Sequence, residues 1–189
     1  DPWKDVFRDI LGQVDRVDGT VRSLLMFAKP WTPEKCRCDV NQLVESSCRE
    51  VENLEEFANV RLVIDVEPNL DASVDRKLSQ YVLTNLLRNA AHAMPEGGEL
   101  RLQAARANER LQIWVTDTGK GIPPEVQDRV FDPFFTTKTR GTGLGLATVS
   151  RIVADLKGGV AVKSNPGEGA EFTLYLPRYD FKAKNPKKR

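Results

Sequence analysis

Two separate segments of the chain carry polar residues of the kinds that a nucleotide site requires. Asn85 and Asn89 are four residues apart, so in a helix they share a face, and a carboxamide oxygen is a hard neutral ligand for Mg²⁺ that already carries phosphate. Asp117 precedes Thr-Gly-Lys-Gly, where a carboxylate can accept from the exocyclic amine of adenine, a position at which guanine has a carbonyl. His92 and Arg88 lie within one turn of Asn89 and can reach phosphates. These residue types predict a site for ATP and Mg²⁺.

Two glycine-rich runs predict where the backbone comes close to that ligand. Gly119 and Gly121 follow Asp117 directly, and glycine lets backbone atoms approach a ring closely. The second run, Gly-Thr-Gly-Leu-Gly over 141–145, precedes a predicted helix, so its amides and the helix N-terminus can hold phosphate oxygens. This run lacks the Gly-Lys-Ser/Thr ending of a Walker motif.

The segment between the two glycine runs predicts a mobile lid. Its marker residues are Pro123, Pro124, Phe131, Phe134 and Phe135. The segment is too apolar for a disordered linker and too interrupted for a long helix, so we expect its phenylalanines to dock when nucleotide binds. The alternative is that these aromatic residues are simply part of the core.

Each of these segments has a simpler explanation when it is taken alone. The asparagines can belong to an ordinary partly polar helix, and Asp117 can belong to an Asp-Thr-Gly turn. The prediction of a nucleotide site therefore depends on the occurrence of all the segments together.

Hydrophobic spacing predicts the elements that position these residues. We expect helices over 3–28, from Asp39 toward Phe57, from Asp75 and over 146–156, a linker over 30–38, and strands over 60–66, 100–107, 111–116, 160–164 and 170–176. The heptad spacing of the first helix indicates one arm of a helix bundle. Mixed elements with antiparallel pairing predict an α/β fold, a two-layer α/β sandwich with its helices on one sheet face and a coiled-coil-like helix at the N-terminus.

Composition limits the classes of partner. The 189 residues include 28 Lys and Arg against 27 Asp and Glu, so no overall field steers the protein onto nucleic acid. No apolar run approaches the roughly 20 residues that cross a bilayer. Cys36, Cys38 and Cys48 are an odd set that suits a reducing cytosol, and the lack of a second pair argues against a metal site at Cys36 and Cys38.

The ordered motifs resemble the N, G1, F and G2 boxes of sensor histidine kinases. They read Asn-Leu-Leu-Arg-Asn-Ala over 85–90, Asp-Thr-Gly-Lys-Gly over 117–121, Phe-Asp-Pro-Phe over 131–134 and Gly-Thr-Gly-Leu-Gly-Leu over 141–146. The resemblance covers about residues 39–177 and implies the Bergerat ATP-binding (GHKL) fold, which DNA gyrase, the heat-shock chaperone ATPases and MutL share. The Phe-Phe-Thr-Thr-Lys sequence of the lid is most similar to that of the nitrogen-regulation type of sensor histidine kinase.

The resemblance also implies roles for individual residues. Asn89 would bind Mg²⁺ and Asp117 the adenine amino group. The other residues implied to contact ATP are Gly119, Gly121, Ile122, Phe131, Phe134, Gly141, Thr142, Gly143, Leu144, Gly145 and Leu146. Residues Asn85, His92, Lys138 and Arg140 would lie beside the phosphates. The implied reaction transfers the γ-phosphoryl of ATP to a histidine, mainly by alignment and charge neutralisation.

The resemblance further implies a division into domains and a set of partners. Residues 1–29 are similar to the second helix of the family's dimerisation and phosphoacceptor domain, 30–38 form a linker, 39–177 the catalytic domain and 178–189 a basic tail. The expected partners are a histidine-bearing dimerisation domain, a response regulator receiver domain and a second copy that pairs through residues 3–28. The expected location is cytoplasmic, with a membrane anchor possible elsewhere in the full-length protein.

Two departures from the family pattern bear on function. Ala170 stands where members often carry Ser or Thr, so a hydroxyl near adenine is absent. The acceptor histidine belongs on the first dimerisation helix, yet the single histidine here is His92, inside the N box. We therefore expect a chain that binds ATP but does not phosphorylate itself.

Two other functions are compatible with the same motifs. A nucleotide-gated interaction module would move its lid without any phosphoryl transfer. A chaperone-like or topoisomerase-like ATPase would need a catalytic Glu on the N-box helix, and residues 78–94 contain no acidic residue.

Overall fold

The computed structural model describes residues 2–107, 110–138 and 141–178. Its helices are α1 (Pro2–Ala28), α2 (Val40–Val51), α3 (Arg76–Ala93), α4 (Pro124–Gln127) and α5 (Gly145–Asp155), with a 3-10 helix at Glu55–Phe57. Its strands are β1 (Cys36–Asp39), β2 (Val60–Val66), β3 (Asp71–Val74), β4 (Gly98–Ala107), β5 (Arg110–Asp117), β6 (Gly159–Ser164) and β7 (Ala170–Pro177). The strands predicted over 100–107 and 111–116 imply a hairpin turn at Asn108 and Glu109, and these two residues lie outside the described residues, as does all of the basic tail except Arg178.

A five-stranded mixed sheet forms one layer of the fold. Its strand order is β2-β4-β5-β7-β6, with β2 parallel to β4 and the other neighbours antiparallel. Alternate residues of the strands face helices α2, α3 and α5, and one continuous hydrophobic core joins the two layers. Leu43, Leu86, Ile113 and Ile152 are fully buried in it. The predicted two-layer α/β sandwich is confirmed.

Aspartate caps begin two of the helices where the sequence predicts them. Asp39 accepts a hydrogen bond from the amide of Gln42 at 3.1 Å, and Asp75 accepts one from the amide of Leu78 at 3.1 Å. Each carboxylate satisfies an amide that has no partner within the helix. The second cap fixes where α3 begins, and α3 carries Asn85 and Asn89.

Three details of the predicted elements were wrong. The predicted linker over 30–38 contains most of strand β1. No strand was predicted over 71–74, where β3 pairs antiparallel with β1 in a two-stranded sheet. The helix predicted to continue toward Phe57 ends at Val51, and the 3-10 helix follows after a turn. The main sheet adds one parallel pair to the predicted antiparallel pairing, because the connection from β2 to β4 passes through β3 and α3 and returns the chain in the same direction.

Helix α1 differs from the sandwich in that its apolar residues are exposed. The exposed apolar side chains are Trp3, Val6, Phe7, Ile10, Leu11, Val14, Val17, Val21, Leu24 and Leu25. Its C-terminal turn contacts α5, where Arg151 donates a hydrogen bond to the carbonyl oxygen of Phe27 and its guanidinium lies 5.9 Å from the centroid of that ring. Among the described helices, none is long and apolar enough to cross a membrane.

Candidate nucleotide-binding site

Asp117 lies buried at the end of β5, with only 3% of its surface exposed. Its Oδ1 accepts hydrogen bonds from the amides of Gly119 at 2.8 Å and Ala170 at 3.3 Å. Burial raises the pKa of this carboxyl, and the two amide hydrogen bonds act in the opposite direction. Within the described chain both hydrogen bonds fall on Oδ1, so Oδ2 is left to accept from an amino group of a ligand.

Glycines around Asp117 stand where a side chain has no room. A Cβ at Gly119 would lie 2.6 Å from the carbonyl oxygen of Ala93 on α3. Gly121 has φ +70°, and a Cβ there would meet the carbonyl oxygen of Asn165 in the turn between β6 and β7. Gly169, in the same turn, has φ +79° and would meet the carbonyl oxygen of Asp117 itself. Backbone packed against backbone therefore shapes this end of the site.

Ile122 continues this wall from the first glycine run. Its amide donates to the Ser164 hydroxyl at 2.8 Å, and its carbonyl accepts from the Gln127 side-chain amide at 3.0 Å. Its side chain is partly buried against the core. These bonds fix the start of the lid segment to β6.

The polar face of α3 supplies the second wall. Asn85 donates from Nδ2 to the carbonyl oxygen of Tyr81 at 3.0 Å, and its Oδ1 lies 3.2 Å from where a Cβ would stand on Gly145. Asn89, one turn on, accepts at Oδ1 from Nζ of Lys138 at 3.0 Å. The structure thus brings both asparagines to the second glycine run and the lid.

Four basic side chains gather near Asn89. Burial lowers the pKa of Lys138, as do the charges of Lys120 and Arg88. Burial and then Lys138 lower the pKa of His92, while Glu56 on the 3-10 helix opposes them. A site whose cations depress one another's pKa values in this way is suited to a polyanion such as a triphosphate.

Glu56 is the carboxylate that contacts this cluster. It accepts from Nε of Arg88 at 3.0 Å and lies 3.9 Å from Nε2 of His92. Burial acts to raise the pKa of Glu56, but a backbone hydrogen bond and Arg88 outweigh it, so the pKa lies below its usual range. Sequence reasoning missed Glu56, since nothing in the local pattern of residues 55–57 indicates a partner 32 residues away.

The lid packs one of its predicted phenylalanines and exposes another. The ring of Phe131 meets Phe172 of β7 edge to face, with centroids 6.4 Å apart. Phe134 has φ +66° and is 66% exposed, and its amide donates to the carbonyl oxygen of Gly143 at 3.0 Å. Gly143, with φ +68°, would place any Cβ against the backbone of Phe134. The lid is therefore hydrogen-bonded directly to the second glycine run.

The second glycine run leads into α5. The Thr142 hydroxyl accepts from the amide of Leu144 at 3.3 Å, and Leu144 is buried. Gly141 would place a Cβ against the Thr136 hydroxyl, α5 begins at Gly145, and Leu146 packs against the core. Predicted residue Arg140 lies outside the described residues.

The donor set around Asn89 fits a metal ion that is held mainly by its nucleotide. Oδ1 of Asn89 already faces a cation, the Lys138 ammonium. In the described chain no group of three or more His, Cys, Asp or Glu could hold a metal. A neutral carboxamide that supplements phosphate and water oxygens is the ligand type expected for Mg²⁺.

Comparison with known proteins places this geometry in a family. Residues 74–180 match the family described as histidine kinase-, DNA gyrase B-, and HSP90-like ATPase. The chain is 37% identical over 170 residues to the signal transduction histidine-protein kinase AtoS of Escherichia coli (strain K12), covering 89% of this chain and 28% of AtoS. It is 38% identical over 168 residues to the sensor histidine kinase ZraS of that strain, covering 87% of this chain and 36% of ZraS. The chain thus spans well under half the length of either relative.

A solved structure of a related protein has the same fold. Full-length ShkA in complex with AMPPNP aligns with a TM-score of 0.81 at 26% identity, covering 93% of this chain and 38% of that chain. The bound molecule in that neighbour is a nucleotide analogue.

Proposed function

The chain belongs to the histidine kinase-, DNA gyrase B- and HSP90-like ATPase family, and we propose on that premise that it is the ATP-binding catalytic part of a sensor histidine kinase. It binds ATP with Mg²⁺ between α3, the lid and the second glycine run. It donates the γ-phosphoryl group to a histidine on a dimerisation domain.

The buried carboxylate of Asp117 is the observation that carries this proposal. It is held at the end of β5 by two backbone amides, beside glycines whose backbone packs too closely against neighbouring carbonyl oxygens for any side chain. Its Oδ2 would accept from the 6-amino group of adenine. The basic cluster of Lys138, Arg88 and His92 would face the phosphates at the other end of the site.

We propose these roles for the remaining predicted site residues. Asn89 would hold Mg²⁺ through Oδ1 and Asn85 would support the phosphates from the same face of α3. The glycines and hydrophobic residues predicted to contact ATP would line the ring and the lid. In phosphoryl transfer, such groups act by alignment and by neutralising charge.

The sensor histidine kinase class is favoured over the other two candidates. AtoS and ZraS are both named as histidine kinases, and α3 carries no acidic residue that could act as the base of a chaperone-like ATPase. The nucleotide-gated interaction module has no specific observation in its favour.

The proposed partners follow from the exposed helix α1. Its apolar stripe would pack against a histidine-bearing dimerisation helix or a second copy of this chain. A response regulator receiver domain as the later phosphate acceptor, and a position on the cytoplasmic side of a membrane, remain predictions from the family resemblance.

Incubation with Mg²⁺ and γ-labelled ATP tests the proposal. The chain alone should carry no acid-labile phosphate, because its single histidine, His92, lies on α3 within the N box and not on a dimerisation helix. Adding a dimerisation domain with its own acceptor histidine should place the label on that partner. Label on the chain itself that disappears in His92→Gln would contradict the assignment, as would failure of every cognate acceptor domain to become labelled.

A further inference from the structure

Lys138 joins the lid to the predicted metal ligand. Its Nζ donates to Oδ1 of Asn89 at 3.0 Å, between residues 49 positions apart in the chain. Oδ1 is the side-chain acceptor of an asparagine, and the amide nitrogen cannot replace it. The oxygen that the lysine contacts is therefore the one that a metal ion would need.

A lysine ammonium and a divalent metal ion compete for that oxygen. Mg²⁺ sits about 2.1 Å from an oxygen ligand, so an ammonium 3.0 Å from the same atom lies no more than about 5 Å from the ion. At that separation a single and a double positive charge repel strongly unless anions lie between them. Metal binding at Asn89 therefore favours departure of the lysine.

The side chain of Lys138 can leave Asn89 while the backbone of Lys138 keeps its own hydrogen bonds. Its backbone amide donates to the Thr136 hydroxyl at 3.1 Å, and its carbonyl accepts from the amide of Gly141 at 3.2 Å. Four rotatable bonds and a compact charge let a lysine side chain swing about a fixed backbone. Lys120 and Arg88 act on Lys138 as like charges, so an anion bound among these side chains would attract the displaced ammonium.

We propose that Lys138 and Mg²⁺ exchange on Asn89, so that the lysine serves as the cation at this ligand until metal and nucleotide displace it onto the phosphates. The inference rests on the proposed function and adds a regulation of that site. It makes the lid respond to metal as well as to nucleotide. It also lets nucleotide bind, more weakly, when metal is absent.

Titration of the full chain with ADP and AMPPNP, in Mg²⁺ and again in EDTA, tests the exchange. The quantity compared is the ratio of Kd in EDTA to Kd in Mg²⁺. In Lys138→Met this ratio should rise at least about tenfold above the wild-type value, since no cation then remains on Asn89 to replace the metal. Lys77→Met is the matched control, because Lys77 is an exposed lysine on the same helix, about 18 Å from Asn89, and its ratio should change by less than about threefold.

Hydrogen exchange gives a second readout that does not depend on binding strength. In nucleotide-free Lys138→Met, amides of 134–138 should exchange faster than in the wild type, since the bond to α3 is lost. An unchanged Kd ratio in Lys138→Met, or an equal change in Lys77→Met, would overturn the exchange while leaving ATP binding intact. Failure of the wild type to bind nucleotide in either condition would instead overturn the proposed function, and the exchange with it.

Discussion

Backbone atoms shape the end of the site that we propose for adenine, whereas long charged side chains shape the end that we propose for the phosphates; these are called the adenine end and the phosphate end below. Around Asp117, three glycines bring carbonyl oxygens so close that no Cβ would fit. Around Asn89, the contacts are made by the flexible ends of Lys138 and Arg88, and Arg88 is 55% exposed. The first end is fixed once the strands and helices are in place, while the second can be rearranged by a ligand.

Base specificity and the response to nucleotide would therefore reside at different ends of the site. A buried acceptor in a rigid wall discriminates between bases, because a wrong base leaves it unpaired. A long cationic side chain can turn toward a bound anion, and Lys138 would pass that change to the lid.

Asp117→Asn should have the largest effect. An amide can still accept from the amides of Gly119 and Ala170, but it presents an NH₂ donor to the amino group of adenine. We expect ADP affinity to fall about 100-fold or more, because a buried donor then faces a donor. Calorimetric titration measures the loss, and an unchanged circular dichroism spectrum establishes that the fold is retained. A variant that binds ADP normally would remove Asp117 from the site.

Gly169→Ala should show how rigid the adenine end is. Its φ is +79° and the new Cβ would meet the carbonyl oxygen of Asp117, whereas Gly167, with φ +81°, has nothing within 4 Å. We expect Gly169→Ala to lower the free energy of unfolding by about 2–4 kcal/mol, through strain and steric overlap together. Gly167→Ala should cost only about 1 kcal/mol, because it carries the conformational strain alone.

Urea denaturation of the two alanine variants measures this difference. Equal losses would mean that the turn between β6 and β7 moves freely away from Asp117. The contrast between a rigid and an adaptable end would then fail.

Glu56→Gln should have the smallest effect, and one that depends on pH. The pKa of Glu56 lies below its usual range, so its ionised form stabilises the fold above about pH 4.5, and this contribution is lost as pH falls through the lowered pKa. Because Arg88 is largely exposed, we expect the wild type to exceed the variant by only about 0.5 kcal/mol at pH 7.

Unfolding of both proteins between about pH 3 and 7 checks this sign. The difference should shrink toward zero at the acid end of the range. Asp117 should contribute to stability with the opposite dependence on pH. Its pKa is raised in the folded state, so its ionisation lowers the free energy of unfolding as pH rises. A difference for Glu56 that grows on acidification would contradict the ion pair with Arg88.

The sequence predicted well where Asp117 and its neighbouring glycines lie, because local rules determine their positions. Asp117 at a strand end, Gly119 and Gly121 are adjacent in the chain, and their roles depend on backbone geometry that residue type restricts. The same holds for the caps Asp39 and Asp75. The short strands β1 and β3 were missed because four residues carry too little alternation to separate a strand from a linker.

The phosphate end could be predicted only in part. Asn85, Asn89 and Lys138 were named from motifs, but the hydrogen bond between Lys138 and Asn89 spans 49 residues, and no periodicity encodes it. Glu56 lies on a 3-10 helix whose position is set by burial of Phe57 in the core. Contacts between side chains on separate elements follow from tertiary packing, which a single sequence does not specify.

Titration of the wild-type chain with ADP and with inosine diphosphate tests the central claim most directly. The two ligands differ at position 6 of the purine, where adenine carries the amino group that Asp117 would accept and hypoxanthine carries a carbonyl. We expect one ADP per chain in Mg²⁺ and inosine diphosphate at least about 30-fold weaker, since its carbonyl would face a carboxylate oxygen. Equal affinities would mean that the pocket does not recognise adenine through Asp117, and the account of this site would be wrong.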